Sequence, residues 1–377
     1  MEIYDVIVVY SENMANSVVD NEYVENAPFS SNSSYGIYND SYMYFLSECE
    51  RVGIKACFAT SKDIIGPGMV QGFWTYNEVW RRDERTAYSE IIFDKFTGSV
   101  EQKNRLIKLT SSESIHTFTD KKLFDVFQNK INTYNCFKDF TVPTVKLENL
   151  SEDEIILTKK RMNNLLKNHK NQIDFDNGFI IKDRVGSGGN KIFRLNFDKK
   201  NTAKIKKQYE ADLKSKESTE YIMQPFIDCT NGFDFAGYYG FIDLRIILLN
   251  HTIIQSYIRI AKKGDFKCNE HQGGNLVYIP EEMIPEEIIA LTKKIVKKIP
   301  LKLNHSVYAL DYIKSIAGNI YFIEGNNHPG IDWNHEKKEN EEKTKELIKI
   351  IVKELKQMIK ENQPISAPLY SYSYAES

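Results

Sequence analysis

Residues 178–194 of this 377-residue chain read GFIIKDRVGSGGNKIFR, and the stretch combines a strand, a glycine-rich turn and a returning strand. The apolar run predicts a strand that delivers Lys182, and Gly186–Gly189 predict the turn. Glycines let backbone N–H groups approach phosphate oxygens, while the lysine supplies positive charge. Because the turn leads into a strand, the stretch is neither a Walker loop nor a dinucleotide-binding fingerprint. A glycine-rich hairpin turn is at least as often structural as functional, so both interpretations stay open.

A second group of polar residues follows two apolar runs near the C-terminus. Asp311 comes after VYAL, and Glu324 and Asn326 come after IYFI. An antiparallel pairing of these runs across a turn at Gly318 would bring the two carboxylates side by side. Carboxylate and amide oxygens are hard ligands that suit Mg²⁺ carrying nucleotide phosphates. The alternative is an ordinary hairpin with polar ends, but carboxylates buried without a partner are costly.

Cationic residues lie between these two groups. Arg245 opens one predicted strand, Arg259 closes the next, and the segment 262–274 follows with several lysines and a closing Gly273-Gly274 pair. The planar guanidinium group suits bidentate binding of phosphate or carboxylate. Taken one at a time, each of these residues is as compatible with a plain surface cation as with a binding role.

Composition restricts the class of protein. Formal net charge is −2 and the pI is near 6.4, which gives no basic excess that would attract nucleic acid or a membrane surface. The five scattered cysteines form no CxxC pair and predict reduced thiols. No signal peptide and no apolar run of membrane-spanning length is visible, so we expect a cytoplasmic protein. Length predicts two or three domains.

Hydrophobic periodicity indicates an α/β protein. Strands are predicted at Ile3–Tyr10, Ile54–Ala59 and Ile91–Phe96, and a helix at Asp40–Val52. Further along the chain, helices are predicted at Asp120–Phe137, Glu152–His169, Glu281–Lys298 and Glu339–Glu361, and most of the strands lie between the second and the third of them. The last residues, 362–377, contain two prolines and alternating tyrosines and predict a flexible tail.

The order of these elements over residues 116–335 resembles the ATP-grasp ligases, and most of all the branch with the ribosomal-protein glutamate ligases and glutathione synthetases. The resemblance rests on Lys182 with GSGG, Gln224-Pro225-Phe226-Ile227, Asp243-Leu244-Arg245, Arg259, the segment GDFKCNEHQGG, Asp311 and Glu324-Gly325-Asn326. It implies an α/β (α+β ATP-grasp) fold in which two subdomains clamp ATP. The implied domains are 1–115, a small α/β domain, and 116–361, the ATP-grasp domain. The latter divides into a lid subdomain at about 145–225 and a catalytic subdomain at about 226–361.

The resemblance also implies roles for individual residues. For the nucleotide, these are Lys130 (with Lys122 as the fallback), Lys182, the lid Gly186, Ser187, Gly188 and Gly189, the hinge Gln224, Pro225, Phe226 and Ile227, Asp228 at the ribose, and the backbone of Gly273 and Gly274. Arg245 and Arg259 would hold the transferring phosphate and the acyl-phosphate oxyanion, assisted by Asn269. Asp311, Glu324 and Asn326 would bind two Mg²⁺ ions, for which Mn²⁺ could substitute.

The implied reaction is ATP-dependent joining of a carboxylic acid to an amine through an acyl phosphate, with an amino acid or peptide as substrate. The alternatives are a phosphotransferase on the same scaffold and a nucleotide-binding module without turnover. Nucleic acid and membrane partners are not expected, and a homo-oligomer stays open. Three departures stand out: Asp183 replaces a frequent proline, Cys229–Ile242 is longer and more aromatic than in short members, and His271 and Gln272 occupy variable places.

Overall fold

The computed structural model describes residues 1–12, 14–15, 27–96, 100–186, 189, 191–195, 199–214, 219–299 and 305–362. Three sheets, formed in turn along the chain, carry the described strands. Most of the predicted tail, 363–377, lies outside the described residues. No helix of the described part has the length and apolar character needed to cross a membrane.

The first sheet is built by the N-terminal residues. Its strands are β1 (Glu2–Ile3), β2 (Val6–Tyr10), β3 (Ala56–Thr60), β4 (Ile64–Gly66), β5 (Met69–Asn77), β6 (Val79–Tyr88), β7 (Ile91–Lys95) and β8 (His116–Thr117). They are ordered β1-β6-β5-β3-β2-β7-β8, with β4 on β5. The single strand predicted at Ile3–Tyr10 is wrong in detail, because β1 pairs with β6 whereas β2 pairs with β3 and β7.

Helices α1 (Tyr38–Arg51) and α2 (Val100–Leu109) flank this sheet, and α8 (Lys338–Asn362) packs against α1. Phe45 of α1 and Leu347 and Ile351 of α8 belong to one buried cluster. The last helix of the chain therefore shares a hydrophobic core with its N-terminal part.

The helix predicted at Asp120–Phe137 is broken into α3 (Lys121–Phe127) and α4 (Lys130–Phe137). Asn129 interrupts it because its backbone is extended and its side chain accepts a hydrogen bond from the N–H of Ile131, which makes it the N-cap of α4. The break places Lys130 at the first position of α4.

The second sheet contains β9 (Val145–Leu147), β10 (Phe179–Asp183), β11 (Ile192–Leu195) and β12 (Tyr221–Pro225), in the order β11-β10-β12-β9. It is accompanied by α5 (Glu152–Leu166) and α6 (Lys199–Lys214). The glycine-rich turn joins β10 to β11, which pair antiparallel, as the sequence predicts.

The third sheet contains β13 (Ile242–Leu249), β14 (Thr252–Ile260), β15 (Asn275–Tyr278), β16 (Val307–Lys314) and β17 (Ile320–Asn326), in the order β15-β14-β13-β16-β17. Helix α7 (Glu286–Lys298) begins five residues later than predicted, because Pro285 disfavours helix for the residue before it. The α/β class predicted from the sequence is confirmed.

Candidate active site

A cleft lies between the second and third sheets. Its polar and glycine lining consists of Lys130, Lys182, Asp183, Gly186, Gly189, Gln224, Asp243, Arg259, Lys267, Asn269 and Glu324. Its apolar lining, together with two cysteines, consists of Val142, Ile180, Ile192, Pro225, Phe226, Ile227, Cys229, Phe241, Phe266, Cys268, Ile313 and Ile323. An apolar interior with a few convergent charges is the usual character of a small-molecule site.

Two of the predicted lysines line the cleft. Lys182 lies on β10, and burial lowers the pKa of its ammonium group to about 8, although Glu324 attracts the charged form. Lys130 donates from Nζ to the carbonyl of Gly186 at 2.5 Å, and its backbone N–H donates to the carbonyl of Arg184. The fallback Lys122 is exposed on α3. The structure therefore favours Lys130 as the second lysine at the cleft.

The lid turn is ordered at its entry by Asp183. The Asp183 carboxylate accepts hydrogen bonds from the N–H groups of Val185 (2.9 Å) and Gly186 (3.0 Å), an Asx-type arrangement. Gly189 has φ +75°, and a Cβ there would lie 2.7 Å from Oδ1 of Asn269. The lid thus touches the segment 262–274 of the opposite wall. Ser187 and Gly188 lie outside the described residues.

The predicted hinge, Gln224–Ile227, lines the cleft. Gln224 is buried and donates to the hydroxyl of Thr144 at 2.8 Å, and the N–H of Phe226 donates to Gly178. The Arg194 guanidinium lies 3.7 Å from the centre of the Phe226 ring. Asp228 is not among the residues that line the described cleft, and its Oδ1 accepts from the N–H of Thr230. Its predicted ribose contact gains no support from this arrangement.

Across the third sheet, one row of directly paired residues carries most of the predicted chemistry. Arg245 on β13 is opposite Asp311 on β16, which in turn is opposite Glu324 on β17. Directly opposed residues of antiparallel strands project from the same face. The side-by-side carboxylates predicted from the hairpin around Gly318 are therefore present in the structure.

Asp311 is fully buried and bound by both predicted arginines. Its Oδ1 accepts from Nε of Arg245 at 2.6 Å, and its Oδ2 accepts from Nη2 of Arg245 at 2.6 Å and Nη2 of Arg259 at 2.7 Å. Burial by itself would raise the pKa of Asp311, but the two guanidinium groups outweigh it and hold the pKa below its usual value. Asp311 is therefore a carboxylate at neutral pH.

Asp243 completes this network, and the sequence argument gave it no role. Its two oxygens accept from Nε (2.7 Å) and Nη2 (3.0 Å) of Arg259, its direct partner on β14. Burial raises the pKa of Asp243 to about 6, with Arg259 opposing the rise. Its position in the sequence could have indicated a role, because Asp243 lies two residues before Arg245 and residues two apart on a strand project from the same face.

The residues predicted to bind Mg²⁺ fit such an ion in their chemistry. Asn326 follows Glu324 by two residues on β17 and so shares its face, although its Oδ1 accepts from the N–H of His328. Among the described residues, none hydrogen-bonds to the carboxylate of Glu324, so this group could accept an ion directly. Asp311 would have to give up hydrogen bonds from a guanidinium group before it could bind the ion. The described part contains no cluster of three or more His, Cys, Asp or Glu side chains suited to a metal. The predicted Mg²⁺ ligands do not form such a cluster, because they comprise two acids, Asp311 and Glu324, and one amide, Asn326.

The other predicted residues lie in the segment 262–274. Asn269 lines the cleft, and its carbonyl accepts from the N–H of Gly274. Gly273 has φ +87°, and a Cβ on Gly274 would lie 2.2 Å from the carbonyl oxygen of Cys268. Both glycines are therefore required by the local backbone, and neither lines the described cleft.

Comparisons with known proteins identify the family and the fold. The model of the RimK-like ATP-grasp domain family matches residues 148–351, more than half of the chain. No curated protein sequence matches. Among similar solved structures, D-alanyl-alanine synthetase A from Vibrio cholerae O1 biovar eltor str. N16961 is 12% identical, with 94% of this chain and 99% of that chain covered and a TM-score of 0.56. D-cycloserine synthetase DcsG is 11% identical, with 94% and 99% covered and a TM-score of 0.54. A RimK domain ATP-grasp protein from Sphaerobacter thermophilus DSM 20745 is 9% identical, with 92% and 99% covered and a TM-score of 0.51. At such identities the likeness shows the fold.

Proposed function

The chain belongs to the RimK-like ATP-grasp family and is an ATP-dependent ligase of the C–N bond-forming type, and we propose that it joins a carboxylate to the amine of an amino acid or a peptide through an acyl phosphate. ATP would occupy the cleft between the second and third sheets, with its adenine at the hinge Gln224–Ile227. N-terminal elements and the Cys229–Ile242 segment would select the substrates. Two Mg²⁺ ions, or Mn²⁺, are part of the proposal, and a homo-oligomer is compatible with it.

The observation that carries this proposal is the convergence of three of the predicted cations and one predicted carboxylate in the cleft. Lys130, Lys182 and Arg259 line it together with Glu324. A carboxylate is a poor electrophile, and γ-phosphoryl transfer to it concentrates negative charge on the phosphoryl oxygens. Fixed cations in a water-poor site stabilise that charge without reorganising during the reaction.

The proposed reaction has two steps. In the first, a carboxylate oxygen of the acid attacks the γ-phosphorus, the bond to the β-phosphate oxygen breaks, and ADP leaves. In the second, the amine attacks the acyl carbon, the acyl–oxygen bond breaks, phosphate leaves, and the nitrogen loses a proton.

In these steps Lys130 and Lys182 would hold the phosphates of ATP, and Arg245 and Arg259 would hold the transferring phosphate and the acyl-phosphate oxyanion. Mg²⁺ bound by Asp311, Glu324 and Asn326 would shield the phosphate charges. The lid would exclude water from the acyl phosphate, and the contact between Gly189 and Asn269 supports such a closed arrangement.

A trapping experiment tests the reaction class. A panel of amino acids and short peptides is screened for ADP release, and each active acid is then incubated with ATP, Mg²⁺ and hydroxylamine. A ligase yields a hydroxamate, because hydroxylamine attacks the activated carbonyl. The Arg259→Gln variant is the negative control, since it removes the guanidinium charge and leaves a polar side chain at that position.

Two outcomes would count against the proposal. A stable phosphorylated product without hydroxamate would establish the phosphotransferase alternative. ATP binding without acid-dependent turnover across the panel would support the nucleotide-binding module.

A further inference from the structure

The two arginines of the site differ in what holds them. Arg259 has two carboxylate partners, since it binds Asp243 through Nε and Nη2 and Asp311 through Nη2. Arg245 binds a single carboxylate, Asp311, with both Nε and Nη2. Its other contact is a long one of 3.5 Å from Nη1 to the hydroxyl of Tyr257. Among the described residues, therefore, only Arg259 has a second anionic anchor.

This difference matters because Asp311 is also the proposed ligand of a divalent cation. Its oxygens cannot serve the cation and accept three guanidinium hydrogen bonds in the same way. If Asp311 gives up these bonds, Arg259 keeps its bidentate pair with Asp243, whereas Arg245 loses every carboxylate partner. A buried cation whose partner is removed is strongly unfavourable until another anion replaces it.

We propose that Asp243 is a positioning residue that keeps Arg259 fixed in the cleft, while Arg245 is released from Asp311 when that carboxylate binds a divalent cation. This inference rests on the proposed function. Arg245, which is 8% exposed and does not itself line the described cleft, then turns its guanidinium toward the phosphoryl oxygens that enter with the nucleotide. Metal loading and engagement of one specific arginine are thereby coupled, because Asp311 keeps Arg245 from the phosphoryl oxygens until the cation arrives.

The charges of the network agree with this division of roles. Arg245, Arg259, Asp243 and Asp311 balance one another in the absence of nucleotide, which lets four buried charges persist. Asp243 continues to neutralise Arg259 after the exchange. The only unbalanced guanidinium is then Arg245, and a phosphoryl oxygen satisfies it best because the planar fork matches that geometry.

NMR of the arginine side chains tests the proposal directly. The chain contains ten arginines, so protein labelled with ¹⁵N-arginine gives a small set of Nε–H signals. The signals of Arg245 and Arg259 are assigned from Arg245→Lys and Arg259→Lys variants. Spectra are recorded without nucleotide, with a non-hydrolysable ATP analogue in EDTA, and with the analogue and Mg²⁺.

We expect Mg²⁺ with the analogue to move the Arg245 signal far more than that of Arg259, whose Nε–H keeps Asp243 as its acceptor, while the analogue in EDTA leaves the Arg245 signal in place. In Asp243→Asn, Mg²⁺ with the analogue should also move or broaden the Arg259 signal. The same variant should lose about 10- to 100-fold in kcat, the size associated with losing a residue that orients another functional side chain, with little change in the Kd for ATP.

Asp63→Asn is the matched control, because Asp63 is a buried carboxylate paired with Arg82 at 2.8 Å in the N-terminal sheet. It should alter neither signal. An unmoved Arg245 signal in the presence of bound analogue and Mg²⁺, or equal movement of both signals in the wild type, would overturn the inference while leaving the ligase function standing. Failure of the analogue to bind at all would refute the proposed function and the inference with it.

Discussion

Replacing Gly189 by alanine should weaken nucleotide binding without destabilising the protein. Gly189 has φ +75°, a conformation that L side chains rarely adopt, and an added Cβ would lie 2.7 Å from Oδ1 of Asn269. Both features belong to the arrangement in which the lid turn touches the segment 262–274. A lid that moves away from this segment can relax the turn, so the cost of the substitution falls on closure.

The size of the effect can be worked from the backbone angle. The left-handed conformation costs a residue with a Cβ about 1–2 kcal/mol. Because about 1.4 kcal/mol corresponds to a factor of ten, this amounts to a loss of about 5- to 30-fold in affinity. Displacement of the Asn269 side chain adds to the loss, so the estimate is a lower bound.

The assay compares Gly189→Ala with Gly53→Ala. Gly53 has φ +79° at the end of α1, and a Cβ there would meet nothing within 4 Å. It therefore carries the same backbone strain far from the lid. Calorimetric titration with a non-hydrolysable ATP analogue should show the affinity loss for Gly189→Ala alone, and thermal melting should show a loss of a few degrees for Gly53→Ala alone. Wild-type affinity in Gly189→Ala would refute the idea that the lid closes in the conformation described.

Two further predictions concern the charges of the cleft. Glu324→Gln should abolish acid-dependent ADP release, because it removes the charge of a proposed metal ligand. The melting temperature should stay near that of the wild type, because the side chain is only half-buried. Turnover at the wild-type rate would show that Glu324 is not a metal ligand. Since burial lowers the pKa of Lys182 to about 8, its positive charge is present below that pH and is lost above it, so metal-free ATP affinity should fall as the pH rises from about 7 to 9. Titration calorimetry of Lys182→Arg should show no such fall, because arginine stays protonated, and a pH-dependent arginine variant would assign the effect to another group.

Local sequence patterns were sufficient to predict those parts of the site that are built by segments adjacent in the sequence. The turn between β10 and β11 and the pairing of Asp311 with Glu324 each involve strands that are joined by a short connection. In such hairpins the alternation of side chains and the position of the turn set the register. The break before Lys130 was missed because Asn129 sits within an otherwise helical pattern, where its capping contact to Ile131 outweighs the apolar periodicity.

The ion pairs around Asp311 could not be predicted, because they depend on which distant strands are neighbours. Arg245 and Asp311 are 66 residues apart and meet only because β13 pairs with β16. No local pattern specifies that pairing or its register, so the sequence argument assigned the arginines to phosphate and the carboxylate to Mg²⁺ as separate groups. The structure places Arg245, Arg259, Asp243 and Asp311 in one network, in which each charge already has a protein partner, whereas none of the described residues hydrogen-bonds to the carboxylate of Glu324. The same side chains therefore either pair with one another or bind the nucleotide and the metal ion. Binding of the nucleotide and the metal must supply the free energy that replaces the ion pairs within the protein by contacts to these ligands.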